Sequence, residues 1–388
     1  MASAITRRAA RAIAYGFAAL ALGFFAFSMQ AGTQARPQAQ SKMPAKAKAR
    51  TGGPSPGLRL RISANGRYLT DQRGKPFLVV GDSPWSLMVQ LSEADMEKYL
   101  ADRERKGFNS LIVNLLEHKF ATNAPRTRAG LAPFTVPGDF STPNDAYFDF
   151  AHRVIELAGE HGMVVWLSPN YLGYGGGDEG FFKEIKAGGP EKLRAYGRYV
   201  GKKFRDLPNI VWMMGGDYTP EKSDQWTVGA LAEAIRAEDP GHLMTAHHSP
   251  GGSAIEAFGD ARWLDINNVY SYDKDLIRPM LEEYARSPAR PFVLLETTYE
   301  GEHGSTPDVI RRQAYWAVLS GACGQFFGNN PIWHFDGPGL FPAKMTWQQA
   351  LASEGSNDMA MAIWTGAVCF SNRPVRVIKH SSTRQSAG

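Results

Sequence analysis

The chain has 388 residues, of which 43% are hydrophobic and 21% charged, an ordinary balance for a soluble globular enzyme. Its formal charge of +5 invites a nucleic-acid reading that the distribution of charge excludes. Residues 1–50 hold eight Lys or Arg and no acidic residue, which leaves 35 basic against 38 acidic residues in the body and no basic stripe for phosphates.

In chain order, Arg7, Arg8 and Arg11 precede an apolar stretch from Ala12 to Phe27, then small and polar residues. This is the architecture of an export signal cleaved after Ala31 or Ala35, with an uncleaved amino-terminal anchor as the alternative. Residues 1–35 are therefore read as leader, and the Pro-, Ala- and Lys-rich residues 36–56 as a flexible linker. An extracytoplasmic location, periplasmic or secreted, follows from that reading. Cys323 and Cys369 are the only cysteines; they form neither a disulfide framework nor a metal-ligand pattern, and Cys323 reads as a core residue.

From Leu58 onward one unit repeats. A small hairpin (LRLRIS, Asn65-Gly66, RYLT) comes first. Strand candidates follow at 77–81, 108–116, 163–169, 209–214, 243–248, 264–270, 292–296 and 323–328. Amphipathic helices fill most gaps: Ser92 caps the first, the second stops at Gly162, and Thr306-Pro307 opens the seventh. The segment 249–263 carries the weakest helical pattern. The glycine run at 173–177 lacks phosphate-cradle spacing and reads as a flexible loop. Helix-to-strand connections are terse, whereas strand-to-helix connections are long and polar. These features predict an α/β fold, a (β/α)8 TIM barrel over residues 57–360 with a short amino-terminal β-hairpin and an irregular tail at 361–388.

Two strand ends carry the chemistry. NIVWMMGGD ends in Asp217 after the fourth strand, and FVLLE ends in Glu296 on the seventh. Strands three apart on an eight-membered ring lie across the barrel mouth, where two carboxylates are able to flank a glycosidic bond. Other strand ends offer Asp82, Asn114, Asn170, His247, His248, Tyr270 and Asn329, a ring of groups suited to sugar hydroxyls. Trp85, Tyr171, Tyr218, Tyr299 and Trp333 stand among them as stacking candidates. A metal held by His247, His248 and Asp217 is disfavoured, because adjacent strand residues point to opposite faces and no H-E-x-x-H occurs. No cofactor is expected.

The segments GRYLTDQRGKPFLVVGDSPW, KGFNSLIVNLL, NIVWMMGGDYTP, TAHHSP and PFVLLETTYEG, with RRQAYWAVLSGACGQFFGNNPIW, resemble the apiosidase-like glycoside hydrolases over residues 57–360. The resemblance implies a retaining mechanism with Asp217 as acid/base and Glu296 as nucleophile, acting on pectic, apiose-bearing carbohydrate. Many members of that clan carry Asn-Glu where this chain has Gly216-Asp217, and the glycines are expected to let the shorter Asp approach the sugar. The charge on Glu296 is expected to raise the affinity of the acid for its proton, giving a bell-shaped, mildly acidic pH profile. A non-catalytic carbohydrate-binding surface protein on the same barrel, and a glycosidase of other sugar specificity, are the alternatives.

Overall fold

The computed structural model describes residues 57–259, 261–273 and 275–359. The expected leader, linker and tail, and Cys369 with them, lie outside the described residues. Eight parallel strands dominate: β1 (Val79–Asp82), β2 (Ser110–Asn114), β3 (Val164–Ser168), β4 (Ile210–Gly215), β5 (Met244–His247), β6 (Asn267–Tyr270), β7 (Phe292–Glu296) and β8 (Gly324–Phe327). Each overlaps a segment expected from the sequence. Pairing runs β5-β4-β3-β2-β1-β8-β7-β6, and a short strand, Gly252–Ser253, adds antiparallel to β6.

The seam between β5 and β6 is closed by irregular bonds instead of a ladder. The N–H groups of Asp265 and Ile266 reach the Met244 carbonyl at 2.9 and 3.0 Å. The Thr245 hydroxyl donates to the Ile266 carbonyl at 2.8 Å, and the Asn268 amide to the Ala246 carbonyl at 2.6 Å. The result is a (β/α)8 barrel.

Outside it lie α1 (Glu93–Arg105), α2 (Asp145–Glu160), α3 (Phe182–Phe204), α4 (Trp226–Glu238), α5 (Ala254–Phe258), α6 (Ile277–Ala285), α7 (Pro307–Leu319) and the short α8 (Trp347–Ala350). Ser92 caps α1 through its side chain, as expected. Thr306 precedes α7 without a side-chain cap bond, so the N1 proline alone carries that start signal. The weakly patterned fifth helix is real but only five residues long, held by a reciprocal Ser253–Glu256 capping box.

Strand alternation sorts side chains into two shells. Val79, Ile112, Trp166, Val211, Met213, Val293, Leu295 and Phe326 fill the barrel interior, whereas Val80, Leu111, Trp212 and Met214 pack outward against the helices. The amino-terminal hairpin gains a third antiparallel strand, Pro76–Phe77. Phe77, expected to begin the first barrel strand, therefore belongs to this small sheet. Leu60, just before that sheet, and Leu69 within it join Val79 and Cys323 in the interior cluster and so close the end of the barrel where the strands begin. Cys323 is a buried core residue. Among the described residues, no helix is long and apolar enough to cross a membrane.

Candidate active site

The two carboxylates reach the barrel mouth by breaking strand regularity. On β7, Val293 and Leu295 point inward, so strict alternation would aim Glu296 at the helices. The register against β6 jumps, however: Val269 faces Leu294 while Tyr270 faces Glu296. This irregularity turns Glu296 inward, the re-aiming that bulges produce near functional sites. On β4 the chain leaves the strand through Gly215 and Gly216, with φ of 89° and 137°, and Asp217 itself adopts a left-handed φ of 51°. A Cβ on Gly216 would strike the Tyr171 ring, so this close approach requires glycine.

One carboxylate oxygen of Asp217, one of Glu296 and a ring nitrogen of His247 lie within 4.8 Å of one another. Tyr171 donates to Asp217 Oδ2 at 2.5 Å, and Tyr270 to Oδ1 at 2.6 Å. His247 Nε2 meets Glu296 Oε2 at 2.6 Å, and Tyr272 donates to Oε1 at 3.0 Å. The Tyr270 and Tyr272 hydroxyls are 2.9 Å apart. Two hydroxyl protons thus serve three contacts, and the carboxylates compete for them. The Asp217 N–H donates to His247 Nδ1 at 2.8 Å, which leaves the ring proton on Nε2, facing Glu296.

Burial, then the nearby charge of Asp217, pushes the Glu296 carboxyl above the usual range, against the opposing bond from His247. Burial alone would lower His247, but Asp217 and Glu296 outweigh it and raise the imidazole. A third carboxylate, Glu302, accepts from the Trp333 indole N–H at 2.8 Å. Burial raises it to about 7, with a contribution from Glu296 that the indole bond opposes.

Asp217 and Glu296 share a pocket of about 80 Å³ with Trp85, Asn114, Tyr171, Tyr299 and Trp333. All five were expected at the site. Trp85 donates its indole N–H to the Tyr299 hydroxyl at 2.8 Å, fixing both rings. Tyr270 borders an adjoining cleft, and His247 is fully buried behind the carboxylates.

The structure places the other candidates elsewhere. Asp82 follows Gly81, which faces the interior ring of Phe326, so alternation turns Asp82 outward. There it accepts from Tyr99 at 2.6 Å and pairs with the buried Arg103 of α1 at 3.1 Å. His248 points away from His247, bonding Asn268 at 3.0 Å and the Ser249 carbonyl at 2.7 Å. Asn329 donates to Glu300 at 2.8 Å. Asn170 is buried outside the pocket lining, and Tyr218 packs on Phe182. The glycine run at 173–177, expected as a loose loop, forms a tight turn against Asp217: the Gly175 N–H reaches the Asp217 carbonyl at 3.3 Å.

Sequence reasoning missed Tyr272, Glu302, Phe120, Leu340 and Phe341, all of which line the pocket. They stand in the rim loops, where no strand-end pattern marks them; only the Tyr270-x-Tyr272 spacing was a usable signal. The trio Asp217, His247 and Glu296 is close enough to share a metal ion. Both ring nitrogens of His247 are already engaged, however, so the trio does not fit a resident metal.

Comparison with known proteins sets the barrel among glycoside hydrolases. A solved glycoside hydrolase matches at 27% identity and TM-score 0.68, covering 79% of this chain and 74% of its own. A glycoside hydrolase family 5 structure from Bacteroides vulgatus ATCC 8482 matches at 27% identity and TM-score 0.66, covering 78% and 70%. A mutant form of a family 5 mannosidase from Rhizomucor miehei shares the fold at 14% identity and TM-score 0.60, covering 81% and 100%. No curated protein matches the chain. The family described as apiosidase-like, catalytic domain, matches residues 63–365, so the chain belongs to that family and is a glycoside hydrolase of clan A type.

Proposed function

We propose that this protein is a retaining glycosidase acting on pectic, apiose-bearing carbohydrate, with Glu296 as nucleophile and Asp217 as acid/base. The observation that carries this is the approach of the Asp217 and Glu296 carboxylates to within 4.8 Å. Retaining pairs stand about 5–5.5 Å apart and inverting pairs about 6.5–9.5 Å, the latter leaving room for a water between carboxylate and sugar.

In the first step Glu296 bonds to the anomeric carbon as the glycosidic C–O bond breaks, and the departing oxygen takes the proton of Asp217. In the second step Asp217 removes a proton from water, whose oxygen displaces Glu296 from the same carbon. The Nε2–H of His247 fixes the orientation of Glu296 and bears on the charge that returns to it. Neutral aromatic walls from Trp85 and Trp333 suit the faces of a sugar ring. The amino-terminal leader accords with a polymeric substrate met outside the cytoplasm, which amino-terminal sequencing of the mature, fractionated protein tests.

Glu296→Gln is expected to abolish hydrolysis while sugar binding persists. Trapping with an activated 2-fluoro glycoside should label Glu296; a label on Asp217 would exchange the two roles. Product of inverted anomeric configuration by NMR would end the retaining reading. A panel of aryl apiosides, arabinofuranosides, mannosides and glucosides tests the sugar, and turnover that ignores the apioside would overturn that part.

A further inference from the structure

The pocket between the carboxylates is not closed on every side. A far larger cleft, about 890 Å³, adjoins it and runs over the loop after β7 to the flank of α7. Asp217, Tyr272, Tyr299 and Glu302 border both spaces, whereas Glu296 borders only the small one. That asymmetry orders the substrate. The anomeric carbon has to meet the nucleophile in the 80 Å³ pocket, and the bond it loses has to cross at Asp217. Whatever leaves with that bond lies in the larger space.

The far wall of the cleft has the chemistry of a sugar platform. Arg312 stacks over the Trp316 ring, with its guanidinium carbon 5.4 Å from the ring centroid. Both side chains line the cleft, and Arg312 is exposed. Arg312 forms no ion pair with a carboxylate among the described residues and borders the cleft, where its guanidinium is a source of donors. Phe341 and His303, whose rings meet edge to face at 4.6 Å, line the same space.

Building on the roles assigned to Asp217 and Glu296, we infer that this cleft is the leaving-group site for an oligosaccharide, with Arg312 and Trp316 contacting a sugar beyond the one joined to the scissile oxygen. The enzyme then holds a single sugar between its carboxylates and recognises a chain of several on the departing side. Trp316 supplies a flat apolar face and Arg312 supplies planar donors to ring oxygens or hydroxyls.

The test compares Arg312→Ala and Trp316→Ala with wild type on two substrates. One is the aryl glycoside hydrolysed best in the panel above, whose leaving group carries no further sugar. The other is a pectin-derived oligosaccharide fraction carrying the same sugar. Each variant should lose about three- to tenfold in kcat/KM on the oligosaccharide and keep its rate on the aryl glycoside. Trp316 packs in part against the cluster of Val269, Leu294 and Ala317, whereas Arg312 is exposed, so the arginine variant keeps the test valid if the tryptophan variant unfolds. Equal losses on both substrates, or none on the oligosaccharide, would overturn the leaving-group site and leave the glycosidase reading intact. Turnover of neither substrate by wild type would overturn the proposed function and this site with it.

Discussion

The backbone N–H of Asp217 donates to Nδ1 of His247, so the position of one carboxylate sets the tautomer of the ring that orients the other. A neutral imidazole offers one donor and one acceptor, and this bond uses the acceptor. His247→Ala removes the orienting donor to Glu296, the proposed nucleophile, whose misplacement costs on the order of 10²-fold in rate. The expected result is a fall of that size in kcat with little change in KM. A variant as active as wild type would contradict the positioning role.

Gly216 is the hinge of the Asp217 turn. Its φ of 137° and the ring of Tyr171 beside it leave no place for a side chain. Gly216→Ala should lower stability by about 1–3 kcal/mol and depress kcat further by moving Asp217. Urea unfolding together with steady-state kinetics separates the two effects.

Asp82 and Arg103 form a fully buried pair, and removing Asp82 leaves the buried guanidinium with only the longer 3.8 Å contact to Asp102. Asp82→Ala should destabilise the fold by about 3–5 kcal/mol. Below its unfolding temperature the variant should keep the wild-type KM, because Asp82 faces α1 and not the pocket. A raised KM in a stably folded variant would return Asp82 to the substrate.

Glu302 supplies a pH signature with a definite sign. Its carboxyl is raised from 4.5 to about 7, so the native state holds a proton that the unfolded chain releases. The associated stability is complete below pH 4.5 and is lost as pH rises towards 7. Glu302→Gln keeps an acceptor for Trp333 and removes the titration. Its thermal unfolding should match wild type near pH 4.5 and exceed it above pH 7, by on the order of 3 kcal/mol.

The same logic applies to activity. As the proposed nucleophile, Glu296 has to be ionised to attack, and burial with the charge of Asp217 raises its pKa. The acidic limb of kcat/KM should therefore fall at a pH above the usual carboxylate range. A flat profile from about pH 4 to 9 would contradict it.

Much of this was legible in the residues themselves. Continuous apolar runs such as NIVWMM and FVLLE mark strands buried on both faces, and eight of them alternating with amphipathic helices admit few other architectures. The ends of those runs also named Asp217 and Glu296. Alternation is a local rule, however, and it misleads wherever the backbone breaks step. Its place at a strand end put Asp82 at the site although alternation turns it outward, and alternation gave no sign that the register jump against β6 brings Glu296 in. The hydrogen bonds of Tyr270, Tyr272 and His247 to the carboxylates, and the arrival of Glu302, Leu340 and Phe341 from rim loops, depend on residues far apart in the chain meeting at one mouth. Strand identity and the acidic pair were thus determined by sequence, because hydrophobic period and strand ends are properties of short segments. The direction each acid faces, the raised proton affinity of Glu296 and the shape of the cleft were decided only by tertiary structure, because burial and neighbouring charge are set by contacts that no segment contains.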